Sequence, residues 1–179
     1  MTKGWKLYWL LVAFWLVLVC ALFFWSLPFI TQAAGGLVPF DARPTGYSFE
    51  EAQQFLSALS AEGRAFYLGT QHWLDLIYPA VLAGVLIVPL RWFSANWPLV
   101  LRVALIATPL IGGVADYLEN AAVSRMLLSG PDELTQDMVA AAHYWTMTKS
   151  TMTSVAMTAL LACLIVAAVR HLIQRKSRS

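Results

Sequence analysis

The chain has 179 residues, of which 59% are hydrophobic and 12% charged, and its formal net charge is +2. Soluble domains carry about 25% charged residues, so this composition excludes an ordinary soluble domain. The apolar residues fall into four blocks, each reaching the roughly 20 residues that a helix needs to cross a bilayer. They surround each block instead of forming one stripe, which also excludes a soluble helical bundle.

The first block predicts a spanning helix over about 7–30, directly after Lys3 and Lys6. Basic residues before an apolar stretch are also typical of a signal peptide. This stretch is long for that role and rich in Trp and Phe, so we expect an uncleaved membrane span.

The segment 32–70 is the only long region between spans, and it carries a helix signal. Ser48 followed three residues later by Glu51 forms the pattern of a capping box, and apolar residues then recur at helical spacing. We predict an amphipathic helix over about 48–62 that ends at Gly63. Two placements stay open for it, a plain surface helix or a lid over the bundle.

Three further spans are predicted over about 72–93, 97–123 and 138–169. The N-terminus, the short link near residue 95 and the C-terminal tail carry basic residues and no acidic ones, whereas the other two connections are acidic. The positive-inside rule then puts both termini in the cytoplasm. The predicted fold is all-α: a four-helix transmembrane bundle, up-down-up-down, forming one integral membrane domain over 1–179.

The short basic tail is typical of contact with lipid headgroups, and we expect no nucleic acid as a partner.

Three carboxylates and one lysine lie inside these spans: Asp75, Asp116, Glu119 and Lys149. Each costs roughly 2.5–3.5 kcal/mol at mid-bilayer on insertion scales, so a chain rarely carries four without pairing or using them. Counted along the helices, all four lie at one depth, roughly 24–32 Å above the cytoplasmic ends. We call these four residues the polar cluster and predict that they meet, with Lys149 as the charge partner of Asp116 and Asp75.

Neighbouring polar residues extend this candidate site. Glu119 and Asn120 share one helix face with Asp116, at i+3 and i+4, so we expect both to hydrogen-bond at the edge of the cluster. Pro79 has no N–H, and the carbonyl of Asp75 therefore lacks its normal helical donor. The remaining candidate members, which are polar residues at this level of the bundle, are Tyr78 and Thr146.

The sequence gives little support for a metal centre or for catalysis. His72, Asp75 and His143 are weak metal candidates, but the ammonium of Lys149 would compete with a cation, so we expect no metal and no cofactor. HExxH, CxxC, Gly-x-Ser-x-Gly and phosphate-loop motifs are missing from the chain. The sequence therefore leans against an enzyme without excluding one.

Four roles stay open for the polar cluster. It could be a structural clasp that fixes helix register, a proton- or ion-coupled transport site, a pocket for a small polar or lipid ligand, or a membrane-embedded active site. With every member ionised its charge is −2, which a low dielectric disfavours, so a proton, cation or water should complete it. We expect a structural or accessory role first. Four helices are narrow for a channel, so transport would need a homo-oligomer or other membrane subunits.

Three short strings carry a resemblance: Gly63-Arg64 followed by Tyr67, Asp75 followed by Tyr78-Pro79, and Asp116 followed by Glu119-Asn120. In this pattern, which extends from residue 47 to residue 149, the chain resembles a set of small, uncharacterised bacterial four-span integral membrane proteins. The resemblance implies a membrane location with the lipid bilayer as partner. The acidic external helix and the basic cytoplasmic tail favour a bacterial inner membrane. It implies no activity, ligand or cofactor.

Overall fold

A computed structural model of the chain describes residues 3–176, with side chains up to residue 174. Four helices in this part are long and apolar enough to cross a membrane, which confirms the predicted all-α four-helix transmembrane bundle. In chain order the helices are α1 (Lys3–Ala33, with a π-helical turn at Leu22–Ser26), α2 (Phe49–Ala58), α3 (Ala61–Phe93, with a π-helical turn at Tyr67–Gln71), α4 (Leu99–Ser129) and α5 (Gln136–Lys176).

The long helices extend beyond the predicted spans at most of their ends. The largest difference is at α3, which begins at Ala61, eleven residues before the predicted start at 72. Ser60 provides the reason, because its hydroxyl accepts a hydrogen bond from the backbone N–H of Gly63 at 3.1 Å and so caps the helix there. The length of an apolar stretch predicts only the part of a helix that lies in the bilayer. The helix itself can continue beyond that part through polar residues.

The start of the amphipathic helix α2 confirms the predicted capping box. Glu51 N–H donates to Ser48 Oγ at 3.2 Å, and Ser48 N–H donates to Glu51 Oε2 at 2.7 Å. The predicted end is wrong. The backbone becomes extended at Leu59, so α2 ends at Ala58, and Gly63 lies inside α3.

The apolar face of α2 packs on protein. Its inward side chains belong to the largest buried cluster of the molecule, together with the ends of α1, α4 and α5 and the loop before α2. We call this part the α2 end of the bundle. The largest fully buried side chains of the cluster are Ile30, Phe40, Phe55, Leu56, Met126 and Leu127.

Consecutive long helices pack against each other, and α4 makes its most extensive contact with α5. Two glycines bring α4 close to both of its neighbours. A Cβ added at Gly112 would lie 3.0 Å from Thr153 Oγ1 on α5, and one added at Gly113 would lie 3.6 Å from the Pro79 carbonyl on α3. Asp116 follows one turn later and therefore lies where α3, α4 and α5 meet.

Candidate functional site

Lys149 forms ion pairs with two carboxylates of α4. Its Nζ lies 3.3 Å from Asp116 Oδ1 and makes a second, closer ion pair with Glu119 Oε2. The Glu119 side chain is fully buried, whereas 18% of the Lys149 side chain is exposed. Three of the four members of the polar cluster thus meet as predicted, and Glu119 is the principal partner of the lysine.

The predicted pairing of Lys149 with Asp75 is wrong for the described residues, where no ion pair includes Asp75. Asp75 Oδ1 instead accepts a hydrogen bond from Gln71 Nε2 at 2.8 Å. Ser26 of α1 donates in turn to Gln71 Oε1. The physical reason is the packing: α5 lies mainly against α4, so Lys149 reaches the carboxylates of α4 before that of α3.

Two neutral side chains, those of Thr146 and Asn120, donate hydrogen bonds to residues of the cluster. Thr146 Oγ1 donates to Glu119 Oε1 at 2.5 Å, so this buried carboxylate has a partner on each oxygen. Asn120 Nδ2 donates to the Asp75 backbone carbonyl at 3.1 Å. This is the carbonyl that Pro79 deprives of its helical donor, and Asn120 replaces that donor from the neighbouring helix.

A cavity of about 230 Å³ adjoins the cluster. Asp75, Asp116, Lys149 and Tyr78 line it from α3, α4 and α5, together with hydroxyl side chains of α5. The wall formed by α1 is apolar. Since α1 packs mainly on α3, and α5 on α4, the cavity occupies the space between the α1 and α5 sides of the bundle.

The loop before α2 contributes a further carboxylate, which the sequence prediction missed. Asp41 lines the same cavity, and its Oδ2 accepts a hydrogen bond from the Tyr67 hydroxyl at 2.5 Å. Asp41 lies in a single 3-10 turn, Phe40–Ala42, within this loop, and no periodicity in the sequence places it near Asp75. Gln71 was also missed, although it lies four residues before Asp75. In a helix, this spacing places the two side chains close enough to form a hydrogen bond.

Tyr47, in the same loop, covers the Glu119 side of the cluster. Its side chain is 5% exposed. Burial raises the pKa of the Tyr47 hydroxyl well above its usual range, and the nearby carboxylates of Glu119 and then Asp41 raise it further. The lid over the site is therefore this loop, and α2 anchors it to the bundle.

The weak metal candidates do not form a site. Among residues 3–174, no group of three or more His, Cys, Asp and Glu side chains is arranged to hold a metal ion. His143 Nδ1 accepts a hydrogen bond from the backbone N–H of Tyr47 at 3.2 Å, which gives this histidine a structural contact with the loop. His72 is exposed on α3.

The arrangement joins an ammonium and three carboxylates on the long helices with the carboxylate of Asp41 in the loop before α2, and a cavity adjoins the group. Such a group can hold protons or cations, or bind a small ligand that donates hydrogen bonds. No protein-family model, curated protein or solved structure matches this chain.

Proposed function

We propose that this chain is a multi-pass protein of a bacterial inner membrane in which the polar cluster binds a proton or a small cation. The observation that carries this proposal is the surplus of negative charge around the cavity. Asp41, Asp75, Asp116 and Glu119 face a single ammonium, that of Lys149, so the formal charge is −3 if every group is ionised.

A surplus of this size is costly where water is scarce. Burial of an unpaired charge costs several kcal/mol even after relaxation of the surroundings, so the folded bundle favours states that carry additional positive charge. A proton on one carboxyl or a cation in the cavity supplies it. A cavity of about 230 Å³ has room for a small cation together with water.

Asp75 and Asp41 are the carboxylates best placed for this task. Each accepts a hydrogen bond from a neutral donor, and within residues 3–174 neither takes part in an ion pair. Asp116 and Glu119 already share Lys149. An additional cation would therefore lie between Asp75 and Asp41.

A cation can be detected through the stability of the purified protein. Thermal unfolding is measured in lithium, sodium, potassium or choline chloride at equal ionic strength. A bound cation raises the midpoint by mass action, because it adds about 2.7 kcal/mol to the free energy of unfolding at a hundred times its Kd. Asp75→Asn should abolish the increase. Asp132→Asn, which neutralises an exposed carboxylate at the α2 end, should retain it.

A bound proton has a different signature. A protonated carboxyl gives an infrared C=O stretching band, which should disappear in Asp75→Asn or Asp41→Asn. If no salt stabilises the protein and no such band is present, the proposal is wrong.

A structural clasp is the second candidate. The observation in its favour is a set of polar contacts between helices. Lys149 and Thr146 of α5 form an ion pair and a hydrogen bond with Glu119 of α4, and Asn120 of α4 donates a hydrogen bond to the backbone of α3. Such interhelical polar contacts fix register in membrane bundles. The two candidates differ in proteoliposomes, because only a site that exchanges its occupant can support proton or cation flux.

The proposed orientation places both termini in the cytoplasm. Basic residues surround the start of α1, the link between α3 and α4, and the end of α5, whereas the connections at the α2 end are acidic. Alkaline phosphatase fused after Gly46 or Gly130 should be active, and fusions after Ser94 or Ser179 should be inactive. Activity at Ser94 would contradict the orientation.

A further inference from the structure

A second and larger groove lies at the opposite end of the bundle, far from the polar cluster. It runs between the C-terminal part of α5 and the link that joins α3 to α4, and its volume is about 680 Å³. Its floor is apolar and includes Leu105, Ala162 and Val166. The aromatic side chains of Trp92, at the end of α3, and Trp97, in the link, line the groove.

The rim of this groove is basic. Arg170 and His171 line it one turn beyond the apolar floor, and Arg170 is exposed. No Asp or Glu occurs in residues 91–102 or 155–179, so the whole neighbourhood lacks acidic side chains. Arginine presents a planar fork of donors that matches the oxygens of a phosphate.

We propose that this groove binds one anionic phospholipid. An acyl chain lies along the apolar floor between α4 and α5, and the headgroup phosphate contacts Arg170 and His171. Trp92 and Trp97 have the amphipathic character of residues at a membrane interface, which is the depth of a phosphate group. Basic pockets between spanning helices bind anionic headgroups through the same combination of charge and depth.

Charge argues for a lipid over a second copy of the chain. In a two-fold symmetric dimer the same patch faces itself, so two basic rims would meet without an acidic counterpart. An anionic phospholipid brings the opposite charge. It also fills an apolar space that would otherwise lack contacts within the bilayer.

Native mass spectrometry of the delipidated full-length protein tests the proposal, with phosphatidylglycerol and phosphatidylcholine added in turn. The parent chain should retain phosphatidylglycerol preferentially. Arg170→Gln should weaken this binding about fivefold, the factor expected for one basic residue near anionic lipid. Arg125→Gln is the matched control, since Arg125 is exposed on α4 in the half of the bundle nearer α2, and it should bind as the parent does.

A second pair of variants tests the apolar floor without changing charge. Ala162→Phe fills the groove and should remove bound lipid, whereas Ala168→Phe changes the same helix outside the groove and should not. Equal binding of the two lipids by the parent overturns the proposal. An Arg170→Gln protein that binds phosphatidylglycerol like the parent also overturns it. So does a dimer that forms without lipid and that Ala162→Phe dissociates but Ala168→Phe does not.

Discussion

Loss of the Lys149 ammonium should destabilise the bundle more than loss of any other exposed or partly exposed basic side chain. Glu119 is fully buried, and its Oε2 takes its charge partner from α5. Breaking a buried pair by removing one partner costs about 3–5 kcal/mol. Because 18% of the Lys149 side chain is exposed, water can reach the vacated site, and we expect Lys149→Met to lie near the lower limit, about 3 kcal/mol.

The double variant separates the ion pair from the packing of the two side chains. Lys149→Met with Glu119→Gln removes both charges of the Lys149–Glu119 pair, so it should cost less than the sum of the single changes. Asp116 loses its ammonium in the Lys149→Met single variant and in the double variant alike, so this loss cancels in the comparison. The difference should be about 1–3 kcal/mol, the coupling found for residues in direct contact. Coupling to Asp116 should be smaller and coupling to Asp75 smallest, since Glu119 and Asp116 are the residues within 3–174 that form ion pairs with the lysine.

Reversible unfolding in mixed micelles, followed by circular dichroism, gives the required free energies. Lys6→Met and Glu133→Gln are matched controls, because both side chains are exposed, and their effects should be small and additive. Additive losses for Lys149 and Glu119 would refute the contact. A Lys149→Met protein as stable as the parent would mean that the ammonium lies in water.

Three further changes test single contacts. Asn120→Leu should cost about 1–3 kcal/mol of unfolding free energy, because the buried Asp75 carbonyl then has no donor. Adding Pro79→Ala restores the helical N–H that this carbonyl lacks and should reduce the cost. The unfolding assay described above measures both effects. Ser48→Ala should cost about 1 kcal/mol of local stability, seen as faster hydrogen exchange across α2 and nowhere else. Gly46→Ala should lower the thermal midpoint for two reasons: Gly46 has φ +76°, which strains an alanine, and the added Cβ would clash with the His143 ring. Adding His143→Ala removes the clash but not the backbone strain, so it should recover only part of the loss.

The sequence by itself determined the class of fold and part of the content of the site. Apolar length specifies four spans because a bilayer requires about 20 residues of each helix, whatever its neighbours are. The common depth of Asp116, Glu119 and Lys149 follows from helical rise alone, and the structure confirms that these residues meet. The capping box at Ser48 is equally local, and the structure confirms it too.

Only the tertiary structure decided which groups pair. Depth along a helix does not specify the direction in which a side chain points or which neighbouring helix is nearer, so the predicted pairing of Lys149 with Asp75 was wrong. The close α4–α5 contact at Gly112 selects Glu119 instead. Asp41 enters the cavity only because a loop without periodicity folds back over the bundle, and no local rule in a sequence encodes such a long-range approach.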